Sequence, residues 1–295
     1  VDNKWGGFLM KTIITTESCS DIPVSMLEKF NVPMVPFSVN FPDRTVLDGE
    51  LPIQEIYDFY DSTRQIPKTC AISPYQYSQF FNRLLEDPEV EIVHIGYSSA
   101  CSCSFQNATI SLQDCDEKRI HLIDCLNVSG GFGLLTLKAV ELHTRNPQWS
   151  AAELADEIRK WVPRIKTLFI PEKLDFLAAG GRVSNAAALG ASLLRIKPRI
   201  DILKGELINT KKYYGTMKKA ASQLVEDFLS EEPLDRTLAL IIYAKGADPD
   251  LLEKLRQRVL NDGFQEVLVF ELGAVMTVHG GKGAMGITGF RREAA

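Results

Sequence analysis

Four short segments carry the residues best suited to chemistry. The first, Ser98-Ser99-Ala100-Cys101-Ser102-Cys103-Ser104, lies between a strand-like run and a helix-like one. Hydroxyls beside the unpaired N–H groups of a helix start form a ready anion site, although the same pattern serves simple capping by Ser102 or Ser104. The second, Lys68-Thr69-Cys70-Ala71-Ile72-Ser73, also enters a helix. Thr69 stands too far ahead of the Ser73 cap to satisfy that helix, so its hydroxyl is free for another partner. The third, Gly180-Gly181-Arg182, ends a tight turn with an arginine, either to meet an anion or to sit in solvent beside an acid. The fourth, Val278-His279-Gly280-Gly281-Lys282-Gly283-Ala284-Met285-Gly286, offers a lone imidazole beside flexible backbone, as an anion donor or as a structural histidine.

Other chemistries fit these residues less well. Gly281 to Gly286 spells G-x-G-x-x-G, but only nine residues follow, too few for the helix, strand and acidic residue of a dinucleotide site. A Walker loop is absent. Ser102, His279 and Asp124 can be assembled into a hydrolase triad on paper, without any G-x-S-x-G elbow. The expectation is therefore a protein that is not an enzyme, the alternative being a serine-dependent acyl hydrolase or transferase using Ser102. Cys101 and Cys103, with Cys115 and Cys125 downstream, lack the C-x2-C spacing of a zinc knuckle, so no metal site is expected and the thiols are read as free.

The elements that must position these segments read as α/β. Strand-like and helix-like runs alternate through the first half, the mark of a parallel sheet with crossover helices. Ser73-Pro74-Tyr75-Gln76 and Ser150-Ala151-Ala152-Glu153 are capping boxes that start helices. Glu91–Tyr97 and Ile120–Asp124 read as strands, the latter leading into a glycine-bearing loop, Ser129–Gly133. Pro163 closes the helix begun at Ser150 and marks the boundary between an N-terminal domain, residues 10–163, and a C-terminal one, residues 164–295. The second domain reads as strand Thr167–Ile170, a small-residue helix from Ser184, a strand near Ile200, a Lys204-Gly205-Glu206 turn, a helix over Lys218–Leu229, strand Leu238–Ile242, a helix capped by Asp248-Pro249 and strand Val267–Phe270. Val275–His279 reads as one more strand. Residues 1–9 precede Met10 and are set aside as an upstream extension.

Of 295 residues, 45% are hydrophobic and 24% charged, with a formal charge of −5, enough apolar material for about two cores. The basic residues form no stripe, so no nucleic-acid footprint is read. No apolar run reaches the length of a membrane span and no signal-peptide pattern opens the chain, which places the expected protein in the cytoplasm.

Taken in order, the segments resemble the signatures of the DegV family. Glu17-Ser18-Cys19-Ser20-Asp21-Ile22-Pro23 is similar to the family's opening D-S-T-x-D-x-P, and Pro67-Lys68-Thr69-Cys70 to P-K-T-S. Ser98–Ser104 resembles S-S-x-L-S-G-T, Gly180-Gly181-Arg182-Val183-Ser184 resembles G-G-R-[IV]-S, and Leu193–Pro198 resembles L-L-x-I-K-P. His279–Gly286 resembles H-x-G-x-G-A-x-G.

The resemblance implies an α/β fold with two-domain DegV-like architecture, an N-terminal parallel-sheet domain plus a second α/β domain. It implies a long-chain fatty acid, such as palmitate, stearate or oleate, held between them, and no cofactor. The carboxylate would meet Thr69 and Ser102, with His279 and Arg182 near. The small side chains of Ala186–Ala191 suit an apolar slot for the tail or, equally, tight helix-to-sheet packing. The implied partner is a fatty acid kinase that phosphorylates the bound carboxylate to an acyl phosphate for phospholipid synthesis. This chain departs from the pattern at Cys70, Cys101, Cys103 and Ser104. It also lacks the arginine that often precedes the family's K-K-A, reading Tyr213-Tyr214-Gly215-Thr216-Met217-Lys218-Lys219-Ala220.

Overall fold

The computed structural model describes residues 10–183 and 196–293. The expected helix from Ser184, its Ala186–Ala191 stretch and Leu193–Arg195 lie outside the described residues, as do residues 1–9.

The first seven strands are β1 (Lys11–Glu17), β2 (Met34–Val35), β3 (Ser38–Asn40), β4 (Thr45–Leu47), β5 (Lys68–Cys70), β6 (Val90–Gly96) and β7 (Ile120–Asp124). Four of them form a wholly parallel sheet in the order β2-β1-β6-β7. Crossover helices join β1, β6 and β7, as the alternating pattern requires. The segment before Ser73, read as a loop, contributes β5, whose Thr69 pairs with Val39 in a small antiparallel sheet ordered β4-β3-β5.

The later strands are β8 (Ile165–Ile170), β9 (Ile196–Leu203), β10 (Glu206–Tyr214), β11 (Leu234–Tyr243), β12 (Glu266–Glu271) and β13 (Met285–Arg291). They build a mixed sheet in the order β10-β9-β8-β13-β11-β12, in which only the pairing of β11 with β12 is parallel. The turn between β9 and β10 has positive φ at both Lys204 (52°) and Gly205 (88°), the backbone twist that a tight hairpin demands.

Both capping boxes form: Ser73 Oγ accepts from Gln76 N–H and Ser150 Oγ from Glu153 N–H, each with the reciprocal side-chain bond. Two expectations need correction. Ser129–Gly133 is the opening of a 17-residue helix, Ser129–Arg145, rather than a loop. That helix is wedged between the sheets, touching β1 and β6 on one side and β8, β11 and β13 on the other. A side chain at Gly130 would overlap Ile242, and one at Gly131 would overlap Asn127 and Thr167. The glycines therefore serve close helix-to-sheet approach, which in sequence looks the same as a loop.

Val275–His279, read as a strand, lies in the helix Ala274–Gly280. A short apolar run does not distinguish the two by periodicity. Here remote carboxylates decide it by accepting the N–H groups of the first turn. One hydrophobic cluster runs through both sheets, from Ile14 and Ile92 to Ile200, Ile242 and Phe290. A second, including Leu224, Phe228 and Val259, covers the far face of the larger sheet. Among the described residues no helix is long and apolar enough to cross a membrane.

Candidate functional site

His279 rides on the seven-residue helix Ala274–Gly280, whose start lacks a side-chain cap of its own. Asp21 Oδ1 accepts from Gly273 N–H at 2.8 Å, and Asp48 Oδ1 accepts from Ala274 N–H at 2.8 Å and Val275 N–H at 3.4 Å. Burial holds the carboxyl of Asp21 well above the usual carboxylate range and raises that of Asp48. Gly281, at φ 73°, then ends the helix in a conformation that favours glycine.

At the other end of this helix, His279 Nε2 lies 3.0 Å from Thr69 Oγ1. Its Nδ1 is sealed from solvent without a hydrogen-bond partner and packs on Gly180, where an added Cβ would fall 2.5 Å from it. Burial, assisted by the Arg182 guanidinium, pulls the imidazole down from 6.5 to about 4. It is therefore neutral near pH 7, with one N–H to donate and one lone pair to accept.

Arg182 Nη1 donates to Gly180 O at 2.5 Å, and its Nε reaches Cys101 O at 3.5 Å. The arginine thus links the turn behind His279 to the serine-rich loop. In that loop Ser98 Oγ donates to Gly205 O at 2.9 Å and Cys101 Sγ donates to the same oxygen at 3.0 Å, joining it to the tip of the β9–β10 hairpin. Burial pushes the Cys101 thiol up to about 11, so it acts as a neutral donor rather than a nucleophile.

Ser102 Oγ accepts from Ser104 N–H at 3.1 Å. The bond closes a local serine turn just ahead of the helix, whose N-cap is Cys103 without a side-chain cap, so the capping expected of Ser102 or Ser104 does not form; it leaves the Ser102 hydroxyl proton available to an outside acceptor. Below the loop, Ser104 Oγ lies 2.7 Å from Tyr77 OH, which donates to buried Glu17. His94 Nε2 approaches the same carboxylate at 3.3 Å, and Glu17 Oε2 accepts from Tyr97 N–H at 3.1 Å. A satisfied buried network of this kind fixes the start of the helix Ser104–Ser111. Ser102→Ala is expected to lower stability by about 0.5–1.5 kcal/mol through loss of the bond to Ser104 N–H. Chemical denaturation of the ligand-free protein checks this; unchanged stability would show that the Ser102–Ser104 bond contributes nothing to the fold.

Of the four residues singled out in sequence, Thr69 and His279 are hydrogen-bonded. Arg182 adjoins them through Gly180, and Ser102 sits on the loop that Arg182 contacts, with its own bond directed to Ser104. Among the described residues no group of three or more His, Cys, Asp or Glu side chains is placed to hold a metal ion.

A narrow cavity of about 60 Å³ has His279 in its lining. The start of the helix Ser129–Arg145, strands β8, β11 and β13, and the His279 helix enclose it. Phe169, Leu177, Leu207, Ile242, Met276 and Ile287 give it an apolar wall. The wall hydroxyls turn inward to protein: Ser129 Oγ donates to Asp21 Oδ2 at 2.5 Å, and Thr167 Oγ1 donates to Asn127 Oδ1 at 2.9 Å. These wall residues, and Asp21 and Asp48 behind them, were missed as site residues. The one signal that could have flagged the wall was the glycine cluster after β7, and it was assigned to a loop.

These features define a two-sheet α/β protein with a narrow apolar cavity lined in part by His279, which is hydrogen-bonded to Thr69. The chain belongs to the DegV family: the family model described as "Uncharacterised protein, DegV family" matches residues 11–292. A DegV domain-containing protein of Clostridium acetobutylicum is 29% identical over 278 residues, which cover 94% of this chain and 97% of that protein. A fatty acid-binding protein of Thermotoga maritima is 26% identical, with 94% and 96% covered. The structure of a fatty acid-binding DegV family protein from Thermus thermophilus superposes with a TM-score of 0.84 at 27% identity, covering 96% of this chain and all of that one.

Proposed function

We propose that this protein binds a long-chain fatty acid and is a carrier rather than an enzyme. The carboxylate is held by Thr69, Ser102 and His279 with Arg182 close by, and the tail enters the narrow apolar cavity between the units 10–163 and 164–295, which widens to take it. The observation that carries the reading is an apolar cavity whose lining includes His279, the hydrogen-bond partner of Thr69. Two of the relatives above are fatty acid-binding proteins, which supports it.

The energetics agree. About 14 buried methylenes at ~0.8 kcal/mol each give on the order of 11 kcal/mol of gross transfer energy, which exceeds association costs of several kcal/mol. A carboxylate at the inner end needs donors, since leaving it bare in an apolar site is costly. The hydroxyl protons of Thr69 and Ser102 and the Arg182 guanidinium can supply them, with His279 Nε2–H donating to Thr69 Oγ1 and orienting its proton outward.

The serine-hydrolase alternative finds less support. His279 Nε2 faces Thr69, while Asp124 Oδ1 accepts from Ser99 and Leu126 N–H groups, so the three members of that paper triad do not form a relay. In the proposed role the bound acid is presented in the cytoplasm to a fatty acid kinase, which makes the acyl phosphate used in phospholipid synthesis. Native mass spectrometry of the purified protein is expected to show a fatty-acid adduct, and the delipidated protein to take up palmitate, stearate or oleate. A ligand-free protein that ignores all three would overturn the proposal, and labelling of Ser102 by a fluorophosphonate would favour the hydrolase.

A further inference from the structure

We infer that Asp48 and Asp21 are positioning residues for His279, acting from the first unit through the start of the helix Ala274–Gly280. This deepens the proposed carboxylate site and rests on that reading only for its effect on ligand affinity.

A seven-residue helix is too short to be stable alone and depends on what holds its ends. This one begins at a glycine with no side-chain cap, and the acceptors for its first three N–H groups come from residues more than 220 positions earlier. The two carboxylates converge on Gly273, where an added Cβ would lie 3.1 Å from Asp21 Oδ1 and 3.1 Å from Asp48 Oδ1. Glycine leaves the space that both need.

Each aspartate is itself fixed. Asp48 N–H donates to Phe37 O at 2.9 Å in the turn after β4. Asp21, at φ 52°, uses its second oxygen to accept from Ser129 on the cavity wall. Asp21 therefore holds the wall and the His279 helix to one point. With a rise of about 1.5 Å per residue, His279 lies roughly 8 Å along the axis from Ala274, so a helix that slides or tilts at its start carries the imidazole out of reach of Thr69.

The test uses ring-labelled histidine in the full chain. Four histidines are present, and His279→Ala assigns the signal of interest. In ligand-free wild type and in Asp48→Asn, which keeps the accepting oxygen, the imidazole is expected to stay neutral down to about pH 5. In Asp48→Ala it is expected to titrate near its ordinary value of about 6.5 as it leaves its enclosed place beside Arg182. Palmitate affinity should fall about tenfold in Asp48→Ala and be restored in Asp48→Asn. A folded Asp48→Ala with wild-type His279 titration overturns the assignment. If Asp48→Ala fails to fold, Asp48→Ser, whose hydroxyl falls short of the helix start, is read in the same way. A titration that moves as expected in a protein that binds no palmitate upholds the positioning role and removes the lipid reading.

Discussion

His279→Ala is expected to weaken fatty-acid binding by about 1–3 kcal/mol, roughly 5- to 150-fold in Kd. The argument rests on the environment of the ring. Its Nε2 is engaged with Thr69 Oγ1 at 3.0 Å, its Nδ1 is closed in by Gly180, and the cavity opens beside it. A carboxylate arriving there exchanges water for donors already held in place, so a truncated imidazole leaves charge unsatisfied in an apolar surround. Thr69→Val removes the other half of the pair without changing its shape. The two substitutions together should cost less than the sum of each alone, because they act on one hydrogen-bonded unit. Isothermal titration with palmitate measures all three; wild-type affinity in both single variants would refute the site.

The same histidine sets a pH dependence. Its pKa in the folded protein, about 4, lies below the ordinary 6.5, so between these values the unfolded chain holds more protons. Stability from keeping the ring neutral is complete above about pH 6.5 and is lost as pH falls towards 4. Wild type should lose more stability than His279→Gln between pH 7.5 and 5.

Gly180→Ala should be nearly as damaging to binding, although it adds only one methyl group. The new Cβ would stand 2.5 Å from Nδ1 and 3.3 Å from Cε1 of His279. Gly180 lies outside the left-handed region, so alanine strains no backbone and the imidazole must move instead. Rotation away from Gly180 breaks the contact with Thr69. Binding should fall by about 1–3 kcal/mol with a fold intact by circular dichroism. Undiminished affinity would show that the ring position is not what holds the ligand.

Much of this arrangement is legible in the sequence because it rests on local chemistry. The capping boxes at Ser73 and Ser150 announce their helices, and the Lys204-Gly205 turn announces its hairpin. Thr69 was singled out because its hydroxyl could not serve the helix after it, and the structure gives it a partner 210 positions away. What escaped the sequence depends on tertiary packing. Gly130 and Gly131 look like a loop until Ile242 and Asn127 are placed against them. The segment around Met276 has the composition of a strand and becomes a helix because Asp21 and Asp48, distant in sequence, accept its first N–H groups. Ser102 reads in sequence as a helix cap or a ligand donor, but the N-cap position falls to Cys103; the Ser102 oxygen accepts from Ser104 N–H in a local turn and its proton remains for a ligand.

The most direct test of the central claim follows the carboxylate itself. Palmitate labelled with carbon-13 at C1, bound to delipidated protein, should give a single carboxyl resonance distinct from free and micellar palmitate. That resonance should shift in Thr69→Val and in His279→Ala. A bound signal unmoved by either substitution, or no bound signal at all, would contradict a carboxylate held at the Thr69–His279 pair.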